Sequence, residues 1–319
     1  MFDTSTNKRI GWSLDIMRLV TYSRMGVPSI GVELESGILD IPDAASHYGR
    51  KYHIHGQNFP TTMMDLLQWE SGIDVIRQIV NRYGQTPHDE RLMTHAIDSV
   101  VLEAPIPRPG KIVALGKNYL EHVKETGSDV EEFPVIFAKF PSCVIGPNDI
   151  ITMPSLSNKI DWEVELGIII GKMCKNVQEQ HALNYIAGYT IINDVTARDL
   201  QRGDGQWIRG KSLDAFCPMG PCIVTSDELG NASDLKMYTK VNGIIKQDST
   251  TAKMMFKVPQ IVAYLSRAFT LEPGDVIATG TPAGVGFARE PPEYLKVGDK
   301  IEQYIEGIGY LRNVVGKRG

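Results

Sequence analysis

Two glutamates separated by one residue are the sharpest chemical feature of the sequence. Glu163 and Glu165 lie in the mostly apolar run DWEVELGIIIG, residues 161–171. Because alternate side chains of a β-strand share a face, a strand here directs both carboxylates to one side, with their α-carbons about 7 Å apart. Two such charges need a compensating proton or cation, and oxygen ligands favour Mg²⁺ or Mn²⁺ over zinc. An amphipathic strand with a solvated acidic face is the alternative.

A second strand-like segment, GYTIINDVTARDLQ, ends in polar residues. Asp194 closes its apolar part, so a third carboxylate can meet the first two there. Arg198 follows four residues later, and Gln201 three residues after that. An ion pair between Arg198 and Asp199 is a structural alternative for this segment, which alone is weak evidence for a site.

Residues 205–212 read GQWIRGKS and match the phosphate-binding pattern G-x-x-x-x-G-K-[ST]. That pattern binds phosphate only between an apolar strand and a helix, because the helix amides must face the anion. Here polar residues precede it, and Pro218 and Gly220 follow within two turns. We therefore do not expect a nucleotide-binding loop. Lys211 is still a candidate point charge for a ligand, with an ordinary surface lysine as the alternative.

Two further segments could take part in catalysis. His122 and Glu125 stand three residues apart in GKNYLEHVKETGSD, so on a helical turn the carboxylate can orient the imidazole as a general base. Near the C-terminal end, IATGTPAGVG places Gly280 and Thr281 at a tight turn after a strand, where amide and hydroxyl groups suit a carboxylate. A surface pair and a structural turn are the respective alternatives. His53 and His55 read as a solvated pair.

Composition limits the classes of partner. The 319 residues carry 33 Lys and Arg against 38 Asp and Glu, a net charge of −5, which disfavours a broad nucleic-acid surface. No apolar run reaches the roughly 18–20 residues of a membrane span. The first 20 residues lack the pattern of a signal peptide, and no CxxC pair occurs, so we expect a cytoplasmic protein with reduced cysteines.

The elements that position these residues fall into two parts. Residues 1–105 offer three short strands and helices at 61–83 and 89–97, which predicts a small α+β N-terminal domain. The proline-rich segment APIPRPG follows as a linker. Residues 106–319 are dominated by strand-like runs, KVNGIIK at 240–246 among them, with one clear helix at 258–269. The predicted fold class is a β-rich α+β protein.

Taken in order, the segments GKNYxxHxxE, FxKxP, DWEVELGxxxG, GYTxxNDVTARDxQ, GKSxDxFCPMGP and PGDVIATGTPAGVG resemble the fumarylacetoacetate hydrolase superfamily. The match covers most of residues 106–319. It is most similar to members with a short N-terminal domain that act on acylpyruvates, oxaloacetate or hydroxy-diene diacids. The resemblance implies a mixed β-sandwich roll for the C-terminal domain, and a homodimer.

The resemblance also implies roles for individual residues. It implies that Glu163, Glu165 and Asp194 ligate Mg²⁺ or Mn²⁺, that His122 and Glu125 form a water-activating dyad on a lid, and that Lys211 stabilises an enolate. It implies substrate contacts by Gln201 and Thr281. Arg198, a supporting residue of the same motif as Gln201, and Gly280 of the tight turn complete the predicted substrate-binding set. The larger eukaryotic members add a fourth aspartate ligand, whereas this sequence has Asn118 and Tyr119 in that segment. This departure favours a smaller substrate.

The expected activity is that of a divalent-metal-dependent hydrolase or decarboxylase. Its substrates would be short β-keto or acyl-substituted pyruvates, small keto-acid dicarboxylates among them, and pyruvate would leave as an enolate. The alternative enzyme is a 2-hydroxyhepta-2,4-diene-1,7-dioate isomerase or a decarboxylase of aromatic catabolism. A non-catalytic scaffold of the same fold is the alternative from another class, but a scaffold needs neither the three acids nor the His–Glu pair.

Overall fold

The structure is a computed structural model, and it describes residues 17–51, 59–87, 92 and 94–317. The histidine pair at 53 and 55 lies outside these residues. The helices of the described part are α1 (Ile41–Lys51), α2 (Met63–Gln68), α3 (Gly72–Gln85), α4 (Leu120–Glu125), α5 (Arg198–Gly203), α6 (Ile208–Lys211), α7 (Ser226–Leu229) and α8 (Val258–Ala268). The strands are β1 (Arg18–Arg24), β2 (Val27–Leu34), β3 (Gly37–Asp40), β4 (Val101–Leu102), β5 (Ile112–Gly116), β6 (Val135–Lys139), β7 (Val144–Ile145), β8 (Ile150–Met153), β9 (Ile160–Asp161), β10 (Val164–Ile170), β11 (Ile186–Asn193), β12 (Thr196–Ala197), β13 (Cys217–Thr225), β14 (Lys236–Val241), β15 (Ile244–Thr250), β16 (Val276–Ala278), β17 (Lys300–Ile305) and β18 (Gly309–Lys317).

Two large sheets form the body of the protein. The first has the order β3-β2-β1-β13-β11-β10-β16-β5-β6, and the second has the order β15-β14-β17-β18-β8. Neighbours along the first sheet are antiparallel except for β16 and β5. The predicted β-rich α+β class is confirmed, because strands dominate and the helices are few and short.

Strands β10 and β11 lie at the centre of the first sheet, and they are buried along their whole lengths. One face of β10 is aliphatic throughout, whereas the other carries Glu165 and Gly167 beside Ile169, and neither face meets solvent. Its pairing with β11 sets Val164 opposite Asn193 and Glu165 opposite Ile192. The polar ends of the two strands therefore lie side by side inside the protein.

The N-terminal region continues the same sheet. Strand β1 pairs with β13, and helices α1 to α3 pack on the strands of this region. The helix predicted over 61–83 is two helices, because Thr62 caps the first and a turn before Gly72 ends it. Within the described residues the helix predicted over 89–97 is wrong: His95 instead exchanges backbone hydrogen bonds with Ile38. The division into domains at residue 105 stays a prediction.

Most strands predicted for residues 106–319 are present, with one correction. The run KVNGIIK is a hairpin rather than one strand, because Asn242 and Gly243 both adopt positive φ and turn the chain between β14 and β15. The helix predicted at 258–269 is confirmed as α8. The four cysteines are buried and free of disulfides, as expected.

Candidate active site

Three carboxylates meet where β10 and β11 end. Glu163 directly precedes β10, Glu165 is its second residue, and Asp194 directly follows β11. The Asp194 amide donates a hydrogen bond to the Glu163 carbonyl at 2.9 Å, which holds the two strand ends together. One carboxylate oxygen from each of the three residues lies within 4.8 Å of the others, and all three side chains are buried.

This donor set fits a hard divalent cation. It offers only carboxylate oxygens, the ligands that Mg²⁺ and Mn²⁺ prefer. Burial, and then the neighbouring charges of Asp194 and Glu163, raise the pKa of Glu165 well above its usual range. The Gly280 amide donates to this carboxylate at 2.7 Å. A cation between the three groups would relieve the repulsion that otherwise favours a proton on Glu165.

Lys211 lies at the same point, at the end of the short helix α6. Its ammonium donates to Glu163 Oε2 and to Asp194 Oδ2, both at 2.6 Å, and it is buried. Burial raises the pKa of Glu163, but the charges of Lys211 and Arg198 outweigh burial and lower it to about 2. The alternative of a surface lysine is therefore wrong, and Lys211 faces carboxylates rather than a phosphate.

Arg198 begins α5 and is held among three side chains. Its Nε donates to Asp161 Oδ2 at 2.8 Å, its Nη2 lies 2.5 Å from Glu163 Oε1, and its Nη1 donates to Gln201 Oε1 at 3.1 Å. The predicted alternative of an Arg198–Asp199 ion pair is wrong, because Asp199 instead accepts from Ser157 at 2.5 Å. Arg198 thus joins the carboxylate cluster to Gln201.

His122 and Glu125 form the expected pair on helix α4. The His122 Nδ1 atom lies 2.8 Å from Glu125 Oε1, and Glu125 Oε2 accepts from the Gly284 amide at 2.9 Å. A carboxylate only accepts, so Nδ1 carries the proton and Nε2 is the basic nitrogen. Glu125 therefore sets both the tautomer and the orientation of the imidazole.

The turn after β16 supports the carboxylates from behind. The Gly280 amide donates its hydrogen bond to Glu165, and a Cβ added at Gly280 would lie 2.9 Å from the Asn118 Cβ. The Thr281 hydroxyl donates to the Val164 carbonyl at 2.9 Å. Gly280 therefore supports a carboxylate of the cluster, whereas Thr281 also lines the cavity.

The cavity in front of these groups has a volume of about 140 Å³. Of the residues predicted for the site, those that line it are His122, Glu163, Glu165, Arg198, Gln201, Lys211 and Thr281. Asp194, Glu125 and Gly280 lie directly behind that lining and bond to it. The structure therefore brings together all ten residues predicted from the sequence.

Sequence reasoning gave no role to Lys139, the lysine of the FxKxP segment, which is fully buried at the end of β6. Its ammonium donates to Asp194 Oδ1 at 2.8 Å and to the Lys211 carbonyl. Burial lowers the pKa of Lys139, but the Asp194 charge outweighs burial and raises it. The available signal was the alternation in VIFAK, which puts Lys139 on the same strand face as Phe137.

Asp161 and an aromatic wall were missed as well. Asp161 accepts from the Gly286 and Phe287 amides as well as from Arg198, and it fixes the loop that carries Phe287. The aromatic side chains of the cavity wall are Phe137, Trp207 and Phe287. Phe137 and Trp207 meet edge to face with ring centroids 5.3 Å apart. No sequence spacing relates these rings to one another, since they come from three distant segments.

Residues 111–316 match the family model described as the fumarylacetoacetate hydrolase C-terminal domain. The chain belongs to this family. A mitochondrial oxaloacetate tautomerase of Bos taurus is 38% identical to it over 94% of this chain and 91% of that protein. A fumarylacetoacetate hydrolase domain-containing protein of Dictyostelium discoideum is 40% identical, covering 94% and 97% of the two chains.

Solved structures show the same fold. A fumarylacetoacetate hydrolase from Exiguobacterium antarcticum matches with a TM-score of 0.79 at 39% identity, over 95% of this chain and 100% of that one. A 2-hydroxyhepta-2,4-diene-1,7-dioate isomerase from Mycobacterium marinum matches with a TM-score of 0.69 at 34% identity, over 95% and 99%. The chain is thus an enzyme of the fumarylacetoacetate hydrolase family.

No helix in the described residues is long and apolar enough to cross a membrane. The cytoplasmic location and the homodimer stay predictions.

Proposed function

We propose that this enzyme converts oxaloacetate-type 2-oxo acids through an enolate, with keto–enol tautomerisation of oxaloacetate as its main reaction and a divalent cation as cofactor. One observation carries the proposal. The buried acids Glu163, Glu165 and Asp194, the Lys211 ammonium and the oriented imidazole of His122 all meet at one small cavity. Relatives that cover nearly the whole chain are named oxaloacetate tautomerases, which supports this choice of reaction.

Glu163, Glu165 and Asp194 would hold the cation, which supplies Lewis-acid polarisation of the substrate's 2-keto oxygen. Nε2 of His122 removes a proton from the methylene carbon between the keto group and the distal carboxylate. The electron pair of that C–H bond becomes the new carbon–carbon double bond, and the negative charge develops on the 2-oxygen. Transfer of the proton to that oxygen completes the enol, and the reverse sequence returns the ketone.

Lys211 acts where the charge develops. Its ammonium has three N–H donors, of which two are used on Glu163 and Asp194. The third is available to the 2-oxygen, and a fixed donor in a buried site stabilises an enolate far more than one in water. Lys139 holds the Lys211 carbonyl and Asp194 in place, so the ammonium does not need to reorganise during the reaction.

A second candidate is pyruvate-releasing hydrolysis of acylpyruvates, with decarboxylation of oxaloacetate as a related activity. The His122–Glu125 pair favours it, because an oriented imidazole can deprotonate water as well as carbon. Attack of that water on the remote carbonyl would cleave the carbon–carbon bond and leave the same pyruvate enolate at Lys211. Double-bond migration in a hydroxy-diene diacid would also use proton transfer by His122, and isomerases of this kind are among the similar structures.

A spectrophotometric comparison tests the proposal. The enol of oxaloacetate absorbs in the ultraviolet, so its conversion to the ketone can be followed directly, while a coupled dehydrogenase reports pyruvate. We expect rapid enol–keto conversion and slower pyruvate release from oxaloacetate, acetylpyruvate and fumarylpyruvate, with His122→Ala reducing all of these rates. Pyruvate release faster than tautomerisation would favour the second candidate instead. No rate above background on any of these substrates would contradict the proposed function.

A further inference from the structure

The cationic side chains around the cavity differ in whether a carboxylate neutralises them. Lys211 and Arg198 are paired with the carboxylate cluster, and Lys117 lies 2.6 Å from Glu131. Arg202 also lines the cavity, and it makes no ion pair with any of the described residues. Among the lysines and arginines that line the cavity in the described part of the chain, Arg202 is therefore the one whose charge is available to a ligand.

Arg202 is positioned by an aromatic contact. It lies four residues after Arg198 on α5, so both side chains leave the same face of the helix. Their guanidinium carbons lie 4.4 and 4.3 Å from the centroid of the Phe287 ring. Asp161 fixes Phe287 through its amide at 3.0 Å and Arg198 through its Nε. The ring and the helix together hold the Arg202 guanidinium at a defined place.

That place is the mouth of the cavity. Arg198 is buried and reaches Glu163, whereas Arg202, which contacts the same ring, is exposed. A substrate whose keto-acid end lies at the carboxylate cluster would therefore direct its other end towards Arg202. A guanidinium binds a carboxylate through two parallel hydrogen bonds, and a contact of its carbon atom with the Phe287 ring does not use its N–H groups.

We propose that Arg202 is a specificity-determining residue that binds the second carboxylate of a 2-oxo diacid. The inference rests on the proposed function, and it narrows the substrate class to diacids over neutral acyl compounds with the same keto-acid head. Arg202 makes no contact with the carboxylate cluster or with His122 in this structure. Its substitution should therefore change selection of the substrate and leave the chemistry at the other end intact.

Calorimetric binding of two unreactive ligands tests the inference. 2-Oxoglutarate and 2-oxopentanoate share a keto-acid head and differ in whether a carboxylate or a methyl group ends the chain. With Mg²⁺ present, we expect the wild-type enzyme to bind the diacid roughly tenfold more tightly, and Arg202→Gln to remove most of that preference by weakening the diacid alone. Arg202→Lys should keep part of it, because the charge remains and the paired hydrogen bonds do not.

Arg267→Gln is the matched control, because it removes the same charge from an exposed arginine of α8 outside the cavity. It should leave both affinities unchanged. Equal weakening of both ligands by Arg202→Gln, or no effect on either, would overturn the inference. If the preference depends on Arg202 but oxaloacetate is not turned over, only the proposed function fails. If oxaloacetate is turned over and Arg202→Gln leaves the preference for the diacid unchanged, only this inference fails.

Discussion

The floor of the cavity, formed by Glu163, Glu165, Asp194, Lys139 and Lys211, differs from its rim in burial and in charge pairing. Every floor side chain is buried, and both floor ammonium groups bond to floor carboxylates at 2.6 to 2.8 Å. The floor carboxylates and Lys139 lie at strand ends, whose positions the sheet register fixes, and Lys211 lies at the end of α6.

The rim, formed by Thr126, Ser128, Arg202, Trp207 and Phe287, comes from loops and short helices and is partly exposed. Its contacts are mainly aromatic. Because the floor is fixed by many bonds and the rim by few, we expect floor substitutions to affect folding and chemistry together. Rim substitutions should change substrate binding alone.

Removing a floor carboxylate should have the largest effect. Asp194→Ala leaves the buried ammonium of Lys139 without its carboxylate and takes one of two from Lys211, which should lower the free energy of unfolding by about 3–5 kcal/mol. Denaturant unfolding in EDTA measures this loss without any contribution from a bound cation. Asp129→Ala, an exposed change beyond α4, should cost no more than about 0.5 kcal/mol. Equal effects of the two substitutions would contradict the structural importance of the floor carboxylates.

The His122 imidazole belongs to neither region, and its removal should lower catalysis with little effect on stability. His122→Ala should reduce kcat by about 10²- to 10⁴-fold, because a positioned base is lost. The free energy of unfolding should change little, since the His122 side chain bonds only to Glu125 in the described residues. Lys124→Ala on the exposed side of α4 is the control, and it should keep full activity.

Comparing substrates sharpens that result. Water activation is needed for acylpyruvate hydrolysis and not for oxaloacetate decarboxylation. His122→Ala should therefore reduce hydrolysis more than decarboxylation. Equal losses in the two reactions would show that the imidazole does not activate water.

Glu125→Gln should have an intermediate effect. The amide keeps the size of the side chain but loses the charge that stabilises protonated His122, so a charge-assisted hydrogen bond becomes a neutral one. We expect kcat to fall roughly 10- to 100-fold, with KM nearly unchanged. A rise in KM without loss of kcat would mean that Glu125 holds the lid rather than the base.

Displacing an aromatic ring of the rim should give the smallest effect. A Cβ at Gly116 would lie 2.4 and 2.7 Å from ring atoms of Trp207, so Gly116→Ala must displace that ring. KM should rise several-fold while kcat stays within about twofold, because overpacking here reaches the rim and not the floor. Gly84→Ala meets nothing within 4 Å and serves as the control in steady-state kinetics. Loss of kcat without a change in KM would contradict the assignment of Trp207 to the rim.

The floor was largely predictable from the sequence, because its signals are local. Glu163 and Glu165 alternate in one strand, and Asp194 ends another, so strand geometry alone brings two carboxylates to one side. Lys139 of the FxKxP segment received no role, because its burial depends on the packing of β6 against distant parts of the chain such as α6. A lysine at the end of a strand otherwise indicates a solvated edge.

The rim could not be predicted, because it depends on contacts between distant segments. Arg202 and Phe287 meet only through the fold, and Trp207 meets Phe137 across 70 residues. The division of the helix predicted over 61–83 has a similar cause, since the cap at Thr62 and the turn before Gly72 override its apolar spacing. Net charge does not reveal the rim either: the total is −5, yet the cavity lining includes Arg202, which makes no ion pair with the described residues.

Cation dependence of oxaloacetate tautomerisation tests the account most directly. Protein treated with EDTA and then dialysed should convert enol to ketone at the background rate, and added Mg²⁺ or Mn²⁺ should restore activity. Glu165→Gln should need a higher cation concentration, because it replaces a charged ligand by a neutral amide. Full activity of the cation-free protein, unchanged by Glu165→Gln, would contradict the central claim that the floor binds a catalytic divalent cation.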